Sequence, residues 1–498
     1  MKKRCVIIGA GLGGLSCGVI LAKNGYDVTV LEQNHQTGGC LQCFYRKGTK
    51  FETGMHFIGS TKPGQNLHKL LNYLEVINDI TLSQLDPDCY ETFSFQGNRF
   101  EFATGKDAFI ESLSQHFPRE KDNITRYYNL IERISNASSL HSLDVSHNDV
   151  AMSTKYQLCS INEVLDSLTN DEMLKNVLCG ENPLFAAERF KTPFSSHAFI
   201  LDFYNQSAFR VQGGSNAISL SLENTLTRHG GRVLTRCKVT KIHCDTTQAT
   251  AVETASGETI PADIVIANIH PSRLIELVDS PLLRPAYRKR MSQLPETVGC
   301  FSVYLKFKAE KQPYYNYNFY GYDQMSPWDC EKYVASNWPR GYLYMHMNEH
   351  PHQQWASSGV ILSYMNFADV AQWFGTHVGH RGEDYELFKK EKAEKLINLV
   401  ARDMPELKDS IERYYTSSPL TYLDYTGTEK GAMYGVAKDI NMGMSSRVHH
   451  RTKVSNLLLT GQNINSHGIL GVLVGSIVTC SEFLGENEIL TQIKNANE

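Results

Sequence analysis

A nine-residue stretch near the N-terminus combines groups that can move a proton. The run FETGMHFIG, residues 51–59, holds the carboxylate of Glu52 and the imidazole of His56, with Gly54 and Gly59 on either side of the histidine. An imidazole titrates near neutral pH, so it can give up a proton and regain it. Two interpretations stay open at this point. Either His56 takes part in chemistry, or Glu52 and His56 only hydrogen-bond each other and fix the loop.

The elements before this loop are predicted from the opening of the chain. Residues 4–8 are rich in β-branched side chains and predict a strand, and the helical pattern that follows runs to about Asn24, where Gly25 ends it. Residues 26–31 form a second predicted strand, which Glu32 closes. A strand, turn, helix and strand in this order is the first half of a parallel nucleotide-binding unit.

Three glycines in the first turn indicate a dinucleotide cradle. Gly9 permits the tight turn, Gly11 lets a pyrophosphate approach the backbone, and Gly14 lets helix and strand pack closely. The helix N-terminus then directs free N–H groups at the phosphates. Glu32 is placed to accept hydrogen bonds from the adenosine ribose, which disfavours the 2′-phosphate of NADP and leaves FAD and NAD.

A second glycine pair favours FAD. Gly38 and Gly39 follow the acid-ended strand, a pattern typical of FAD enzymes of the amine oxidase and phytoene desaturase superfamily. Backbone without side chains can pass close to the phosphates and ribityl chain of the flavin. A strand is predicted around Val239, and in this superfamily a valine there contacts the adenine through its backbone.

The C-terminal part of the chain supplies the rest of the predicted nucleotide site. Residues 457–459 are a buried strand in the prediction, the turn 461–463 follows, and 468–471 open the final helix. Ligands bind at the carboxyl ends of the strands in such sheets. The N-terminus of that helix is therefore expected at the flavin ring or its ribityl chain.

These patterns predict an α/β fold with two domains built from separate segments. The FAD-binding domain, of Rossmann type, is predicted from residues 1–75, 200–285 and 450–498. Residues 76–199 and 286–449 form an inserted α+β substrate or cap domain with a mostly antiparallel sheet, the first of these two segments being polar and helix-patterned. The chain has 25 tyrosines and 22 phenylalanines, which either line an apolar cavity or simply form core.

Composition excludes several other classes of protein. The net charge of −4 and the absence of a Lys/Arg block argue against nucleic acid as a partner. The 12 cysteines are expected as reduced cytosolic thiols, and although Cys40 and Cys43 form C-x-x-C, no second pair offers the spacing of a metal site. Residues 5–22 are uncharged, as in a signal peptide or membrane span, but their five glycines favour the cradle.

Several motifs spread over the chain carry a family resemblance. The chain resembles the flavoprotein family of phytoene desaturases and carotenoid cis-trans isomerases, and within it the retinol saturases. The FETGMHFIG loop together with a late T-G-Q is the most specific match. The pattern of the saturase branch reads T-G-Q-D, and here Asn463 stands in place of the acid. The other matching stretches are GAGLGGL, GGC at 38–40, QGGSNAI at 212–218, GAMYG at 431–435 and NLLLTGQNI at 456–464.

The resemblance implies an FAD-dependent oxidoreductase that reduces or desaturates a carbon–carbon double bond of a lipophilic polyene or isoprenoid. It places His56 beside the flavin as the candidate acid, with His197 as the fallback. The predicted cofactor-binding residues are Gly9, Gly11, Gly13, Gly14, Glu32, Gly38, Gly39, Cys40, Val239, Gly461, Gln462, Asn463 and Ile469.

Alternative functions stay open beside this one. A redox-neutral carotenoid isomerase using reduced FAD is the nearest, a flavin amine oxidase and a non-enzymatic prenyl-protein escort protein being more distant. The electron donor or acceptor is open among NAD(P)H, a ferredoxin, a quinone and oxygen. A cytoplasmic protein, with peripheral contact to a membrane that supplies the substrate, is the expectation.

Overall fold

The computed structural model describes residues 2–348 and 353–498. In chain order the strands are β1 Arg4–Ile8, β2 Asp27–Leu31, β3 Cys43–Arg46, β4 Thr49–Glu52, β5 Ile58–Gly59, β6 Leu82–Gln84, β7 Glu91–Phe95, β8 Asn98–Phe102, β9 Ala208–Val211, β10 Arg232–Leu234, β11 Val239–Cys244, β12 Ala249–Thr254, β13 Thr259–Pro261, β14 Ile264–Ala267, β15 Gly299–Phe307, β16 Asn318–Tyr322, β17 Gly341–Met347, β18 Ser358–Met365, β19 Ile411–Ser417 and β20 Leu457–Leu459.

The helices fall partly between these strands and partly in one run, α3 to α9, between β8 and β9. In order they are α1 Leu12–Lys23, α2 Asn66–Tyr73, α3 Lys106–His116, α4 Lys121–Asn136, α5 Ser139–Ser142, α6 Val150–Leu158, α7 Ile161–Leu168, α8 Glu172–Leu178, α9 Phe194–Gln206, α10 Asn216–Arg228, α11 Pro271–Leu277, α12 Pro285–Ser292, α13 Glu383–Asp403, α14 Leu407–Ser410, α15 Pro419–Thr426, α16 Gly468–Leu484 and α17 Glu486–Asn495.

One sheet is entirely parallel and carries the glycine-rich turn. Its order is β10-β2-β1-β14-β20, so the first and last strands of the chain lie two places apart. Helices on one face and β11 to β13 on the other cover the two sides, which explains why β1, β14 and β20 are almost wholly apolar. The carboxyl ends of β1, β2, β14 and β20 therefore meet at one edge.

A larger sheet of seven strands has the order β19-β15-β18-β17-β16-β7-β8. All neighbours pair antiparallel except β7 and β16, which are parallel. The outer face packs on α13, with Phe301, Tyr344 and Ile361 among its buried side chains. The inner face packs under the helices of the 106–206 segment. This inner face is the side that meets the nucleotide-binding part of the chain.

Two sequence predictions need correction. The 76–199 segment is not purely helical, because β7 and β8 form a hairpin in the large sheet. A two-residue turn, Gln96-Gly97, joins them, and both residues have positive φ as such tight hairpins require. The predicted final helix, α16, is followed by a further one, α17.

No single helix among the described residues has both the length and the apolar composition to cross a membrane. The helices α16 and α17 pass that test only as a pair, and they are bent by 118° where they meet.

Candidate cofactor and substrate site

The glycine-rich turn presents backbone alone. Gly9 has φ of +96°, and a side chain on Gly14 would collide with the carbonyl oxygen of Gly9. Gly38 N donates to Ala10 O at 2.8 Å, which brings the second glycine stretch alongside the first. A Cβ on Gly11 would lie 3.0 Å from Asn268 Nδ2. This surface fits the pyrophosphate of a dinucleotide, since phosphate needs close approach to N–H groups.

Glu32 lies at the end of β2, beside this turn, and is buried. Its Oε2 accepts from Ala10 N at 2.9 Å and its Oε1 accepts from Asn34 N at 2.8 Å. A carboxylate has about four acceptor positions, so these two bonds fix its orientation and leave capacity for ribose hydroxyls. The α1 helix has no acidic residue in its first turn and no side-chain cap, which suits an anion there.

Asn268 belongs to this site, although the sequence analysis did not single it out as a site residue. It follows β14, and its Nδ2 donates to Gly9 O at 3.2 Å. Added side chains on Gly13 or Gly461 would meet its Oδ1. A signal was present, because a polar residue at the carboxyl end of a buried parallel strand is where ligand contacts arise. The predicted Val239 begins β11 and is buried.

The turn after β20 is held by the stretch around residue 435. Gly461 has φ of +94°. Asn463 Oδ1 accepts from Val436 N at 3.0 Å, and Lys438 Nζ donates to Asn463 O at 3.1 Å. Burial lowers the pKa of Lys438 to about 8. The Asn463 amide is therefore already used in holding the turn, and Lys438 adds a cation there that the sequence analysis did not identify.

His467 stands immediately before α16 and closes this side of the site. Its ring lies 4.7 Å from that of Tyr434, centroid to centroid. Burial lowers the pKa of His467 to about 3, with a smaller contribution from Lys438, so its imidazole is neutral. Ile469 is buried in the first turn of α16, and Gln462 is partly exposed. The helix N-terminus thus carries no negative charge of its own.

In the FETGMHFIG loop both interpretations of His56 find support. His56 Nδ1 lies 3.2 Å from Glu52 Oε2, and Glu52 Oε1 accepts from Ser215 N at 2.9 Å. The histidine is buried, and its Nε2 has no hydrogen-bond partner among the described residues. Glu52 therefore orients the ring, and the second nitrogen stays available for proton transfer.

The two glycines of this loop do not act as turn residues. Gly59 lies in β5 with extended backbone, and a side chain on it would strike the carbonyl group of Phe203. A Cβ on Gly54 would lie 3.1 Å from Cys40 Cβ. Close packing against neighbouring chain segments, not a tight turn, requires glycine at both positions. Burial raises the pKa of the Cys40 thiol to about 11, so this cysteine is not a reactive thiolate.

His197, the fallback acid, is fully buried in α9. Its Nε2 lies 2.7 Å from Tyr127 Oη, and burial lowers its pKa to about 3. A neutral imidazole paired with a tyrosine inside the helical layer supports a structural role.

An apolar cavity lies on the inner face of the seven-stranded sheet. It is narrow, with a volume of about 30 Å³, which is room for about one or two water molecules. Tyr434 lines the cavity and its ring also lies beside that of His467, so one side chain separates the cavity from the residue before α16. A long apolar molecule requires side chains to move before it can enter. The lining includes Cys300, Tyr322, Leu343, Leu362, Tyr364 and Tyr434.

Comparison with known proteins adds relatives of defined activity. The model of the family described as flavin containing amine oxidoreductase matches residues 12–372. The human all-trans-retinol 13,14-reductase is 27% identical over 99% of this chain and 87% of its own length. Prolycopene isomerase 1 of an Oncidium hybrid cultivar is 22% identical over 95% of this chain and 82% of its own. The 4,4'-diapolycopene oxygenase of Methylomonas sp is 22% identical over 94% and 95%.

Solved structures share the fold. An oxidoreductase from Methanosarcina mazei superposes with a TM-score of 0.65 at 16% identity, covering 95% of this chain and 99% of that one. Putrescine oxidase bound to putrescine superposes with a TM-score of 0.63 at 15% identity, covering 97% and 99%. At this identity the likeness speaks for the architecture alone.

Proposed function

The chain belongs to the flavin containing amine oxidoreductase family, and from this premise we propose that it is an FAD-dependent oxidoreductase acting on a carbon–carbon double bond of a lipophilic polyene, such as a retinoid or carotenoid. The observation that carries the proposal is the apolar cavity, which ends at Tyr434 beside the start of α16. Its lining is mostly aromatic and aliphatic, which suits an apolar molecule. The reductase, isomerase and oxygenase relatives all bear names of polyene chemistry.

FAD would be held by backbone on one side and by Glu32 on the other. The turns at 9–14 and 38–39 would receive the pyrophosphate, and Glu32 the adenosine ribose. The 461–463 turn and the first residues of α16 would lie along the ribityl chain and ring, with Val239 at the adenine. When bound, the flavin supplies hydride transfer to or from carbon.

The protein's own part is to orient the polyene, exclude water and handle one proton. The aromatic lining would hold the apolar body and keep water from the reacting carbons. His56 is the proposed acid, because Glu52 fixes its Nδ1 and leaves Nε2 without a partner. General acid catalysis requires the imidazole to lie within proton-transfer distance of the substrate carbon.

We also propose the division of labour between two parts of the chain. The segments 1–75, 200–285 and 450–498 would bind the cofactor, and 76–199 with 286–449 would form the substrate part. The parallel sheet lies in the first set and most of the seven-stranded sheet in the second. Peripheral contact with a membrane, as the source of the polyene, belongs to the same proposal.

A redox-neutral isomerase is the second candidate. The observation in its favour is the similarity to prolycopene isomerases, which extends over 95% of this chain. An isomerase would use the same cavity and cofactor without net transfer of electrons.

One experiment separates these functions. The purified holoprotein is photoreduced without oxygen and mixed with all-trans-retinol or prolycopene, and flavin reoxidation and product mass are followed. Putrescine is mixed with the oxidised holoprotein instead, because only oxidised flavin can take electrons from an amine. A polyene that reoxidises the flavin and gains two mass units supports the reductase. An unchanged mass with altered double-bond geometry supports the isomerase, and oxidation of putrescine alone would overturn the proposal. NADH, NADPH, a ferredoxin and a quinone are then compared as electron partners.

A further inference from the structure

Two glutamates are buried together on the inner face of the seven-stranded sheet. Glu91, at the start of β7, is 0% exposed, and Glu181, after α8, is 1% exposed. Tyr320 Oη donates to Glu91 Oε1 at 2.8 Å, and Tyr90 Oη donates to Glu181 Oε1 at 2.9 Å. Each carboxyl group perturbs the pKa of the other, which requires the two to lie close together inside the protein. We call Glu91 and Glu181 the carboxyl pair.

The remaining oxygens of the carboxyl pair lack a well-formed hydrogen bond, although the Asn318 amide lies close enough to Glu91 to lower its pKa. Neither Oε2 atom has a hydrogen-bond partner among the described residues, and no Lys, Arg or His nitrogen there lies within 4.0 Å of either carboxylate. Two adjacent carboxylates without a cation cannot both stay ionised in a buried site. A single proton held between the two oxygens satisfies both acceptors.

The groups around the carboxyl pair favour this protonated state. Burial raises the pKa of Glu91 well above its usual range, with repulsion from Glu181 adding to it, and burial raises the pKa of Glu181 to about 7. The nearest cation on a neighbouring strand, Arg210, donates to Asn318 Oδ1 and not to the pair. The other titratable groups that face the pair from β7, β16, α4, α8 and α9 are neutral: Tyr90, Tyr127, Tyr128, Cys179, Tyr204, Tyr320 and Tyr322.

The segment that carries Glu181 is also the wall of the apolar cavity. Three tyrosines of the cavity lining donate to its carbonyl groups: Tyr322 to residue 180 at 2.5 Å, Tyr364 to residue 182 at 3.3 Å, and Tyr434 to residue 183 at 3.1 Å. The Glu181 side chain is directed to Tyr90 instead. The carboxyl pair therefore lies directly behind the cavity wall.

Two buried asparagines point independently to a small polar ligand: Asn205 shares the Tyr90 hydroxyl with Glu181, and Asn182 follows Glu181 in the chain. Asn182 is 2% exposed, and neither its amide nitrogen nor its amide oxygen has a partner. Asn205 is fully buried, and its Oδ1 accepts from Tyr90 Oη while its Nδ2 is unpartnered. Buried polar atoms of this kind are normally satisfied by water or by a ligand group.

The carboxyl pair is also connected to the loop that carries His56. Arg210 is buried, and one guanidinium nitrogen donates to Asn318 Oδ1 at 2.9 Å while another donates to His56 O at 3.2 Å. Asn318 is the β-sheet partner of Glu91. Arg210 thus fixes the distance between the pair and the proposed acid.

We propose that Glu91 and Glu181 form an internal proton site, completed by water at Asn182 and Asn205, which resupplies the acid that protonates the substrate. This deepens the proposed function and rests on it. Reduction of one double bond forms two C–H bonds: both electrons and one hydrogen come as hydride from the flavin, which a two-electron donor has reduced, and the second hydrogen comes as the proton of His56. The carboxyl pair replaces that proton and recovers its own from solvent.

The shared proton is tested by infrared spectroscopy of the FAD-loaded protein between pH 5 and 9. The parent should show a protonated-carboxyl band that persists at pH 7, shifts in D2O and is lost in both Glu91→Gln and Glu181→Gln. Asp202→Asn is the matched control, because burial raises the pKa of Asp202 to about 7 too, yet this carboxylate binds Gln206 on α9 and not the pair. A parent spectrum with no band assignable to either glutamate at pH 7 would overturn the proposal, whether or not the variants fold.

The use of the proton is tested by repeated turnovers of the protein with all-trans-retinol and an excess of dithionite, because only repeated turnovers require the acid to be reprotonated. Glu91→Gln and Glu181→Gln should slow product formation by about 10²-fold at neutral pH and flatten its pH dependence, with FAD content and Kd for retinol unchanged. Asp202→Asn should turn over like the parent. Parent-like rates and pH profiles in both glutamine variants would overturn the role in supply. If the parent itself leaves retinol unchanged but shows the infrared band, the proposed function fails and the proton site stands.

Discussion

The parallel sheet and the seven-stranded sheet present opposite kinds of binding surface. At the carboxyl edge of the parallel sheet, glycines leave only backbone at the surface. The contact of Gly14 with Gly9 leaves no room for a side chain at position 14. On the inner face of the large sheet, tyrosines fill almost all the space and leave a cavity of about 30 Å³. The first surface is rigid because it has no side chains whose rotamers could change. The second can open only by side-chain movement, and so it is where substrate selectivity is expected.

The largest effect is expected from a side chain in the rigid surface. Gly11→Val should abolish FAD binding, because its Cβ would already lie 3.0 Å from Asn268 Nδ2 and its methyl groups would fill the space of the pyrophosphate. Flavin released on denaturation measures it. Gly25→Ala is the control, since nothing lies within 4 Å of an added Cβ there and any strain from its positive φ acts away from the cradle. Full FAD occupancy in Gly11→Val would contradict the assignment of the cradle.

The second effect concerns the proposed acid between the two surfaces. His56→Gln should keep FAD and fold but slow turnover by about 10²–10⁴-fold, the usual range for general acid catalysis. His197→Gln should instead lower the free energy of unfolding by about 1–3 kcal/mol, because it disturbs the buried bond to Tyr127, and leave turnover intact. Single-turnover rates and melting temperatures separate the two. Parent-like turnover in His56→Gln would show that the imidazole only holds Glu52 and the loop in place.

The third effect is expected in how the free energy of unfolding depends on pH. A carboxyl whose pKa rises on folding binds its proton more tightly in the folded state, so its stabilisation is complete below its ordinary pKa of 4.5 and is lost as the pH rises through about 7. The free energy of unfolding should therefore fall by up to about 1.4 kcal/mol per pH unit in that window. Glu181→Gln should flatten this slope in urea titrations, whereas Gly25→Ala should keep it.

The smallest effect is expected at the turn after β20. Asn463→Asp would place a negative charge beside the bound flavin, which disfavours the anionic reduced form and should lower its midpoint potential by about 30 mV, equivalent to about 1.4 kcal/mol for two electrons. The adjacent ammonium of Lys438 limits the shift. Spectroelectrochemistry measures it, and a rise in potential would show that the charge at this position acts in another way.

The parallel unit was predictable because its signals are local. Gly9, Gly11, Gly14 and Glu32 lie within one strand-helix-strand unit, and the family match and the relatives confirm the flavin cofactor, the oxidoreductase class and the resemblance read from the motifs. The α/β content is confirmed as well. The roles of individual site residues and the domain boundaries stay predictions.

A mostly antiparallel sheet was predicted for the inserted part of the chain, but the parallel pairing of β7 with β16 and the carboxyl pair were not predictable from local pattern. Glu91 reads as an ordinary acid in a polar segment, and only its parallel pairing with a strand more than two hundred residues later buries it. Glu181 joins it from a third segment. The need for glycine at position 59 was not predictable for the same reason, since the carbonyl that excludes a side chain there belongs to Phe203. Such contacts depend on tertiary structure and leave no periodic pattern in the amino-acid sequence.

The position of β20 has a consequence for how the protein is made. This strand, with α16 packed on α1, completes the sheet that begins with β1, so the nucleotide site joins the first and last parts of the chain. Pairings of such sequence separation form slowly, and they cannot form until residues 457–459 have left the ribosome. Until then the outer side of the apolar strand β14 is left unpaired at the edge of the sheet, so chaperone protection during synthesis and an excess of free FAD should raise the yield of active protein.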